Sequence, residues 1–319
     1  LFHLPAWSAA VEQAYGHQPM HLAAWNDGTL AGVLPMFLVK SAIAGKLLVS
    51  IPYATYGGIL ATDDGAVHAL AQQAKDICDE HGARCLELRH RERRPVDLPV
   101  IDKYDTFRKL LPDKVEDVLP SLPRTTRRCA RQSAEELGPE AFQTGPHLVD
   151  EVYDLYAFTL RRLGSPNYSR RFFHALLDNY GEDCIFSVVK RQGKSVAGLV
   201  SFIFRDEITA YFSGCLPAAM ECCANNLIYL RAMELGVQRG LRWFDFNRTR
   251  RDNNGPYSFK RRHGFEPSPL YYNVYLPKGQ AAPNLSPSNS RFKLASNVWK
   301  RLPLWFTRAA GAQVSKWIP

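Results

Sequence analysis

An α/β fold built from two related units is predicted by three observations. Two polar turns, Asn26-Asp27-Gly28 and Gln192-Gly193-Lys194, each lie between apolar, strand-like runs. Each hairpin is followed by a further strand, a helix and another strand. The segments His21 to Trp25 with Leu30 to Pro35, and Phe186 to Lys190 with Val196 to Ser201, share one pattern of strand, polar turn and strand, which points to a duplicated unit. Such alternation gathers charged and glycine-bearing residues at element ends, where an active site is expected.

In the first unit, Pro5 to Tyr15 reads as a short helix with Trp7, Val11 and Tyr15 near one face. His21 to Trp25 and Leu30 to Val39 read as the first hairpin. An apolar strand, Leu47 to Ile51, enters Pro52-Tyr-Ala-Thr-Tyr-Gly-Gly58; Ala66 to His81 has helical periodicity, and Cys85 to Leu88 returns as a strand. Pro95 to Pro99 suits a connector, and Tyr104 to Leu111 is open to pairing with the preceding sheet. After Pro123 a helix would carry Arg124, Arg127, Arg128 and Arg131 at three- and four-residue spacing, giving one basic face. That face is either a solvated surface balanced by Glu135 and Glu136 or a contact for phosphate.

The second unit repeats the order. Helices are expected at Val149 to Leu163 and around Ser169 to Tyr180, with strands at Cys184 to Lys190, Ser195 to Phe204 and Ile208 to Ser213. A helix from Asn225 to Gly240 precedes the aromatic strand Trp243 to Phe246. A polar loop from Asn247 then leads into a short helix ending before Gly264 and Phe265. Tyr271 to Tyr275 is a strand candidate, Pro277 to Ser290 has linker composition, and the tail is basic and aromatic. There Trp299, Trp305, Phe306 and Trp317 alternate with Arg291, Lys293, Lys300, Arg301, Arg308 and Lys316. The tail is suited to packing on the body or to peripheral contact with a membrane. The expected division is 1–145, 146–276 and a linker and tail at 277–319.

With 319 residues, 46% of them hydrophobic, the chain can build substantial cores, which excludes a disordered or fibrous class. No apolar run approaches the roughly 20 residues needed to span a bilayer. Leu1 to Trp7 lacks a basic region followed by a long apolar core, so a cytoplasmic protein is expected, with membrane association left open. Seven cysteines without regular spacing suggest reduced thiols and no metal site. The formal charge of +9 favours anionic partners.

No Walker loop, dinucleotide fingerprint, HExxH or nucleophile elbow is present. Three placements carry the available chemistry. Lys260, in a short helix after Gly255-Pro256, could stabilise negative charge on a carbonyl oxygen or bind phosphate. Asp245, in the aromatic strand, could orient an amine or accept its proton, or form an ion pair with Arg248 or Arg250. A polar rim combines Tyr53, Tyr56, Gly57 and Gly58 with Asn225, Asn226, Asn247, Arg248, Tyr257 and His263. Asn225 and Asn226 suit capping of the long helix or an anion at its start. His263 suits either chemistry or capping of the short helix, and His3 and His21 are ordinary polar contacts. Cys215, Cys222 and Cys223 have no evident histidine activator, so a thiol intermediate is secondary.

Several segments together resemble the FemAB-like members of the GNAT superfamily, especially those associated with exosortase and exopolysaccharide systems. They are Phe2 to Trp7, Ala31 to Pro35, Pro52 to Gly58, Ala197 to Ser201, Trp243 to Phe246 and Phe259 to Phe265, spread over roughly residues 1 to 276. The resemblance implies two tandem GNAT-like domains with mixed central sheets around a cleft, and amide formation as the chemistry. The family's late phenylalanine-lysine motif maps onto Phe259 and Lys260, and implies that Lys260 supports the carbonyl oxyanion. Relatives take aminoacyl-tRNA, acyl-CoA or acyl-carrier protein as cosubstrate, with no tightly bound cofactor. Between Gly214 and Asn225 the glycine loop that cradles the diphosphate of acetyl-CoA is missing, and no coiled-coil arm for tRNA is visible.

The expected function is therefore an aminoacyl or acyl transferase forming an amide on an amine of a cell-envelope or exopolysaccharide precursor. Lys260 and Asp245 are its expected catalytic residues, and tRNA or an acyl-carrier protein a partner consistent with its charge. The alternative is a noncatalytic nucleic-acid or anionic-polymer binding protein with a degenerate transferase fold, which would bind in a strongly salt-dependent way without forming product.

Overall fold

A computed structural model describes residues 1–280 and 290–319, the side chains of the second segment from 294 onward. The linker read at Pro277 to Ser290 falls mostly outside the described residues, as do the side chains of Arg291 and Lys293.

Helix α1 (Pro5–Tyr15) starts with proline in its first turn and stops at Gly16, whose φ of 62° is the left-handed conformation glycine adopts freely. Short β1 (Gln18–Pro19) follows, then β2 (Leu22–Asn26) and β3 (Thr29–Leu34). Asp27 and Gly28 both have positive φ, 46° and 77°, as a tight hairpin turn requires. The single strand expected from Leu30 to Val39 is instead two, β3 and β4 (Met36–Ser41). Pro35 lies between them, and they enter different sheets. Strand β5 (Gly45–Ser50) leads through the loop at 51–58 to β6 (Leu60–Ala61) and α2 (Asp64–Glu80), whose cap Asp63 accepts from the Ala66 amide at 2.9 Å. Strands β7 (Leu86–His90), β8 (Val100–Ile101) and β9 (Tyr104–Leu110) complete this half.

The second half runs α3 (Arg124–Leu137), β10 (Phe142–Thr144), α4 (Val149–Leu163), α5 (Arg170–Tyr180), β11 (Cys184–Arg191), β12 (Lys194–Phe204) and β13 (Glu207–Cys215). It continues with α6 (Ala218–Glu221), α7 (Ala224–Gln238), β14 (Trp243–Asp245), β15 (Thr249–Arg250), α8 (Asn254–Arg262), β16 (Pro267–Pro269) and β17 (Tyr271–Tyr275). Two tail helices, α9 (Ser290–Trp299) and α10 (Leu304–Lys316), close the chain.

The strands form two large mixed sheets and a small antiparallel one, with orders β1-β4-β5-β7-β17-β8, β10-β11-β12-β13-β14-β9-β15, and β2-β3-β6. The halves exchange strands. Tyr104 to Leu110 does not pair with the preceding sheet: β9 pairs antiparallel with β14, β15 and β16 of the second half, while β17 pairs with β7 and β8 of the first. A cut at 145 therefore separates strands that hydrogen-bond in both large sheets.

One aromatic core joins the halves. Trp7 of α1 is fully buried against Phe172 of α5, Phe202 of β12 and Tyr211 of β13, at centroid distances of 5.2 to 5.8 Å. Separate cores lie under α2 and between the second sheet and α3 and α7. The tail is docked: α10 packs on α4, Arg308 pairs with Asp154 at 3.1 Å, and Gly311 sits so close to Asn167 that a Cβ would meet its Oδ1 at 2.3 Å. Trp305 nevertheless remains 72% exposed.

Candidate active site

The site begins where the second sheet opens. Parallel pairing of β13 with β14 covers only Glu207 to Thr209 against Trp243 to Asp245, whereas β13 stays with β12 as far as Cys215. After Asp245 the chain turns away from β13, and Asn247 adopts a left-handed φ of 67°, which asparagine tolerates better than most residues. The pairing of β13 with β14 therefore ends at Thr209 and Asp245, in the second half of the chain.

The first half supplies the loop at 51–58, held by its carbonyls. Those of Pro52, Tyr53, Ala54 and Thr55 accept in turn from Trp7 Nε1 (3.0 Å), the Tyr211 hydroxyl (2.5 Å), Arg89 (3.0 Å) and the Tyr272 hydroxyl. Four donors from four elements fix the loop, whose residues Ile51 and Tyr53 have positive φ of 41° and 63°. Its side chains then reach the second half. Thr55 Oγ1 donates to Asn247 Oδ1, and the Tyr56 hydroxyl donates to Asp245 Oδ2 at 3.2 Å.

Asp245 is fully buried. Its other oxygen accepts from Thr106 Oγ1 at 3.1 Å and the Asn247 amide at 2.6 Å. Burial, reinforced by Glu207, nonetheless pushes its carboxyl up to about 6. Lys260, 8% exposed on α8, donates to the carbonyls of Asn247 at 2.7 Å and Arg248 at 3.1 Å. Burial pulls its ammonium down to about 7, with Asp245 opposing that shift and Arg248 adding to it. Two of the three ammonium hydrogens are thus committed to backbone carbonyls, which leaves one to be aimed elsewhere. Among the described residues no ion pair joins Asp245 to Arg248, which donates to the Tyr272 hydroxyl at 2.8 Å, and Arg250 pairs with Asp252.

Tyr56, Asn247 and Arg248 of the expected rim lie at this junction with Lys260 and Asp245. Other rim residues do not. Tyr53 is 2% exposed, its hydroxyl 2.7 Å from His17 Nε2 in the aromatic core. The amides of Gly57 and Gly58 both donate to the Arg89 carbonyl, at 3.0 and 2.7 Å, so they are not free to cradle an anion. A Cβ on Gly58 would meet the His90 ring at 2.5 Å; this glycine is required by close packing. Asn225 and Asn226 stand inside the first turn of α7, whose cap is Cys223 with no side-chain cap bond, and Asn225 Nδ2 donates to Cys215 Sγ at 3.4 Å. Tyr257 donates to Asp105 at 2.8 Å. His263 is buried among Tyr229, Phe246 and Phe259, its Nδ1 2.8 Å from the Phe259 carbonyl and its pKa pulled down to about 4 by burial.

Arg124, Arg128 and Arg131 are exposed on α3, and Arg127 donates to the Pro120 carbonyl at 3.1 Å. Thr126 Oγ1 donates to the Arg262 carbonyl at 2.5 Å, so the start of α3 adjoins the exposed Arg261 and Arg262 of α8. Where a diphosphate-cradling glycine loop would stand, the short helix α6 buries Ala219 and leads to the buried Cys222. The reading of the sequence missed Thr55, Arg89, Thr106 and Tyr272.

Comparisons with known proteins bear on this geometry. Residues 121–261, which include Asp245 and Lys260, match a family model described as an acetyltransferase (GNAT) domain. Among solved structures, FemX aligns with a TM-score of 0.63 at 13% identity, over 86% of this chain and 92% of that one. The C-terminal domain of a putative lysylphosphatidylglycerol synthetase from Agrobacterium fabrum aligns with a TM-score of 0.57 at 13% identity, over 84% of this chain and 87% of that one. L-PGS from Bacillus licheniformis gives 0.54 at 11% identity, over 93% and 97%. No curated protein sequence matches. These likenesses, at such low identity, establish the fold as GNAT- and FemAB-like, with two mixed sheets in tandem.

Proposed function

We propose that the protein is an aminoacyl or acyl transferase that forms an amide on an amine of a cell-envelope or exopolysaccharide precursor. The observation that carries this reading is the buried Lys260 beside Asp245, at the point where the second sheet opens and the loop at 51–58 arrives. A lysine held there by two carbonyls, with one donor left over, suits a carbonyl oxygen that gains charge during acyl transfer. The match of residues 121–261 to an acetyltransferase domain supports the same reaction class.

In this reading the amine attacks the carbonyl of an activated ester or thioester. An N–C bond forms, the Lys260 ammonium stabilises the tetrahedral oxyanion, and collapse breaks the C–O or C–S bond to release the donor. The amine's proton leaves through Tyr56, a half-buried residue whose hydroxyl passes one proton to Asp245 as it accepts another. Asp245, having no exposure of its own, acts through Tyr56 and through its charge on Lys260. The donor is an aminoacyl-tRNA, acyl-CoA or acyl-carrier protein. The exposed arginines of α3 and α8 form one surface suited to its phosphates, and would serve equally an anionic polymer in a noncatalytic binding protein.

Mass-spectrometric detection of a new amide tests this. Purified protein is given envelope or polysaccharide precursor extract with separate aminoacyl-tRNA, acyl-CoA and acyl-carrier-protein pools, beside a Lys260→Ala control. Product from one donor pool, lost in the control, supports the reading and identifies the donor class. No product from active pools, with tight salt-sensitive binding of a polyanion, supports the noncatalytic alternative.

A further inference from the structure

The basic, aromatic tail takes no part in the chemistry proposed above. Between Ser290 and Pro319 it carries Arg291, Lys293, Lys300, Arg301, Arg308 and Lys316 and no Asp or Glu. On α10 the residues set against the body are Thr307, Gly311 and Ser315, four apart and buried, with the two hydroxyls donating to the helix's own Leu304 and Ala312 carbonyls at 3.1 Å. Trp305 lies two residues before Thr307, about 200° round the helix, and is 72% exposed. Phe306 beside it is 41% exposed, their ring centroids 5.8 Å apart.

Helix α9 docks in the same sense. Ser296 and Lys300 close on Gly164 at the end of α4 and leave no room there for a Cβ. Leu294 and Val298, each two residues out of phase with that pair, are 69% and 52% exposed. A helix packed on a protein in water turns its large apolar residues inward. Both tail helices instead place small or polar residues at these contacts and leave large apolar ones outside. The corner between them is fixed to the body, since Arg161 donates to the Leu302 carbonyl at 2.5 Å and Arg308 pairs with Asp154 at 3.1 Å. Lys300 and Arg301 stand exposed at that corner.

This combination selects the occupant. Charge alone would suit a nucleic acid, and apolar surface alone a second protein. Tryptophan and phenylalanine beside lysine and arginine match the interfacial layer of a bilayer, where the rings sit among headgroups and the basic groups meet anionic lipid. Helices of 10 and 13 residues are too short to cross, so the contact lies in the plane of the surface. We propose that the corner of α9 and α10 is a docking surface for an anionic lipid bilayer. Leu294, Val298, Trp305 and Phe306 enter the headgroup layer, and Lys300 and Arg301 hold anionic headgroups. Such docking goes beyond the transferase reading and stands whether or not the protein forms an amide.

The full chain is sedimented with phosphatidylcholine vesicles containing about one-third phosphatidylglycerol, and with vesicles of phosphatidylcholine alone. Binding should be at least about tenfold tighter to the anionic vesicles. It should weaken at least about tenfold in Trp305→Ser/Phe306→Ser, and about three- to tenfold in Lys300→Gln/Arg301→Gln. Lipids brominated on their acyl chains should quench tryptophan emission in the bound parent protein and much less in Trp305→Phe, which still binds; this comparison decides the matter if the serine pair fails to fold. Vesicle affinity unchanged in the tail variants, or lost instead in Arg124→Gln/Arg128→Gln of α3, would reveal attraction by overall charge and overturn the proposal. Equal quenching in the parent and Trp305→Phe would overturn it too. So would a serine pair that keeps its vesicle affinity while losing binding to a single-stranded oligonucleotide or losing a dimer, outcomes that assign the surface to a nucleic acid or to a second copy of the chain.

Discussion

Tyr56 and Asp245 are separated by 189 positions in the chain, yet the hydroxyl of one donates to the carboxylate of the other at 3.2 Å. This bond, with that from Thr55 to Asn247, ties the loop of the first half to the end of β14 in the second. Bonds of this kind hold the two halves in one geometry at the candidate site.

The rate of amide formation should follow a narrow bell in pH. Asp245 must be ionised, which sets an acid limb at about 6, and Lys260 must be charged, which sets an alkaline limb at about 7. Tyr56→Phe removes both the proton relay and a donor to the carboxylate, so the maximal rate falls by about 10²–10⁴-fold and the acid limb of what remains moves up, while the alkaline limb stays. A pH–rate profile of both proteins checks the pair of shifts.

Stability should depend on pH through the same two groups. Lys260 binds its proton less readily folded than unfolded. Between its folded value of about 7 and its unfolded value of 10.5 the unfolded state holds more protons, and stability rises with pH. Asp245 is the reverse: between 3.8 and about 6 the folded state holds more protons, so stability falls as pH rises. The protein should therefore melt lowest between about 6 and 7 as far as these groups decide, with the rise above 7 absent in Lys260→Met. Thermal melts across pH test it.

At Asn247 the backbone and the side chain can be separated. Asn247→Gly keeps the left-handed conformation and loses the contact with Thr55, whereas Asn247→Ala loses the contact and strains a φ of 67°. Alanine should be less stable than glycine by about 1 kcal/mol in urea unfolding, in line with the cost of left-handed backbone for a residue with a Cβ.

Gly58→Ala should be destabilising by about 1–3 kcal/mol, the usual cost of overpacking. Its new methyl would meet the His90 ring, which is fixed by bonds of 3.1 Å each to the Ile59 amide and to Asn273. Urea unfolding measures the loss, and the amides of Ile59 and Gly57 should lose protection from hydrogen exchange first.

What the sequence made legible was local. Asn26-Asp27-Gly28 and Gln192-Gly193-Lys194 announce hairpins because their turns need positive φ, and Asp27, Gly28, Gln192 and Gly193 all have it. Lys260 was legible as part of a recognisable segment, and the periodicity of Val149 to Leu163 gave α4 its observed bounds. The exchange of β9 and β17 between sheets was not legible, since a strand's pattern states that it is half-buried and not which distant strand it joins. Gly57 and Gly58 looked like part of a binding rim because glycine suits both a ligand cradle and a tight packing position, and only the neighbours of the missing Cβ distinguish them. Arg89 and Tyr272 meet at a separation of 183 positions, as His90 and Asn273 do, a relation no local window contains.

The most direct test of the role given to Lys260 is the split between turnover and donor binding in Lys260→Ala, measured with the donor pool that yields product. The account predicts kcat lower by at least about 100-fold, as for loss of an oxyanion donor, with donor affinity within about threefold of the parent protein. Equal losses in turnover and donor affinity would contradict it and make Lys260 a binding charge, and unchanged turnover would remove it from the chemistry altogether.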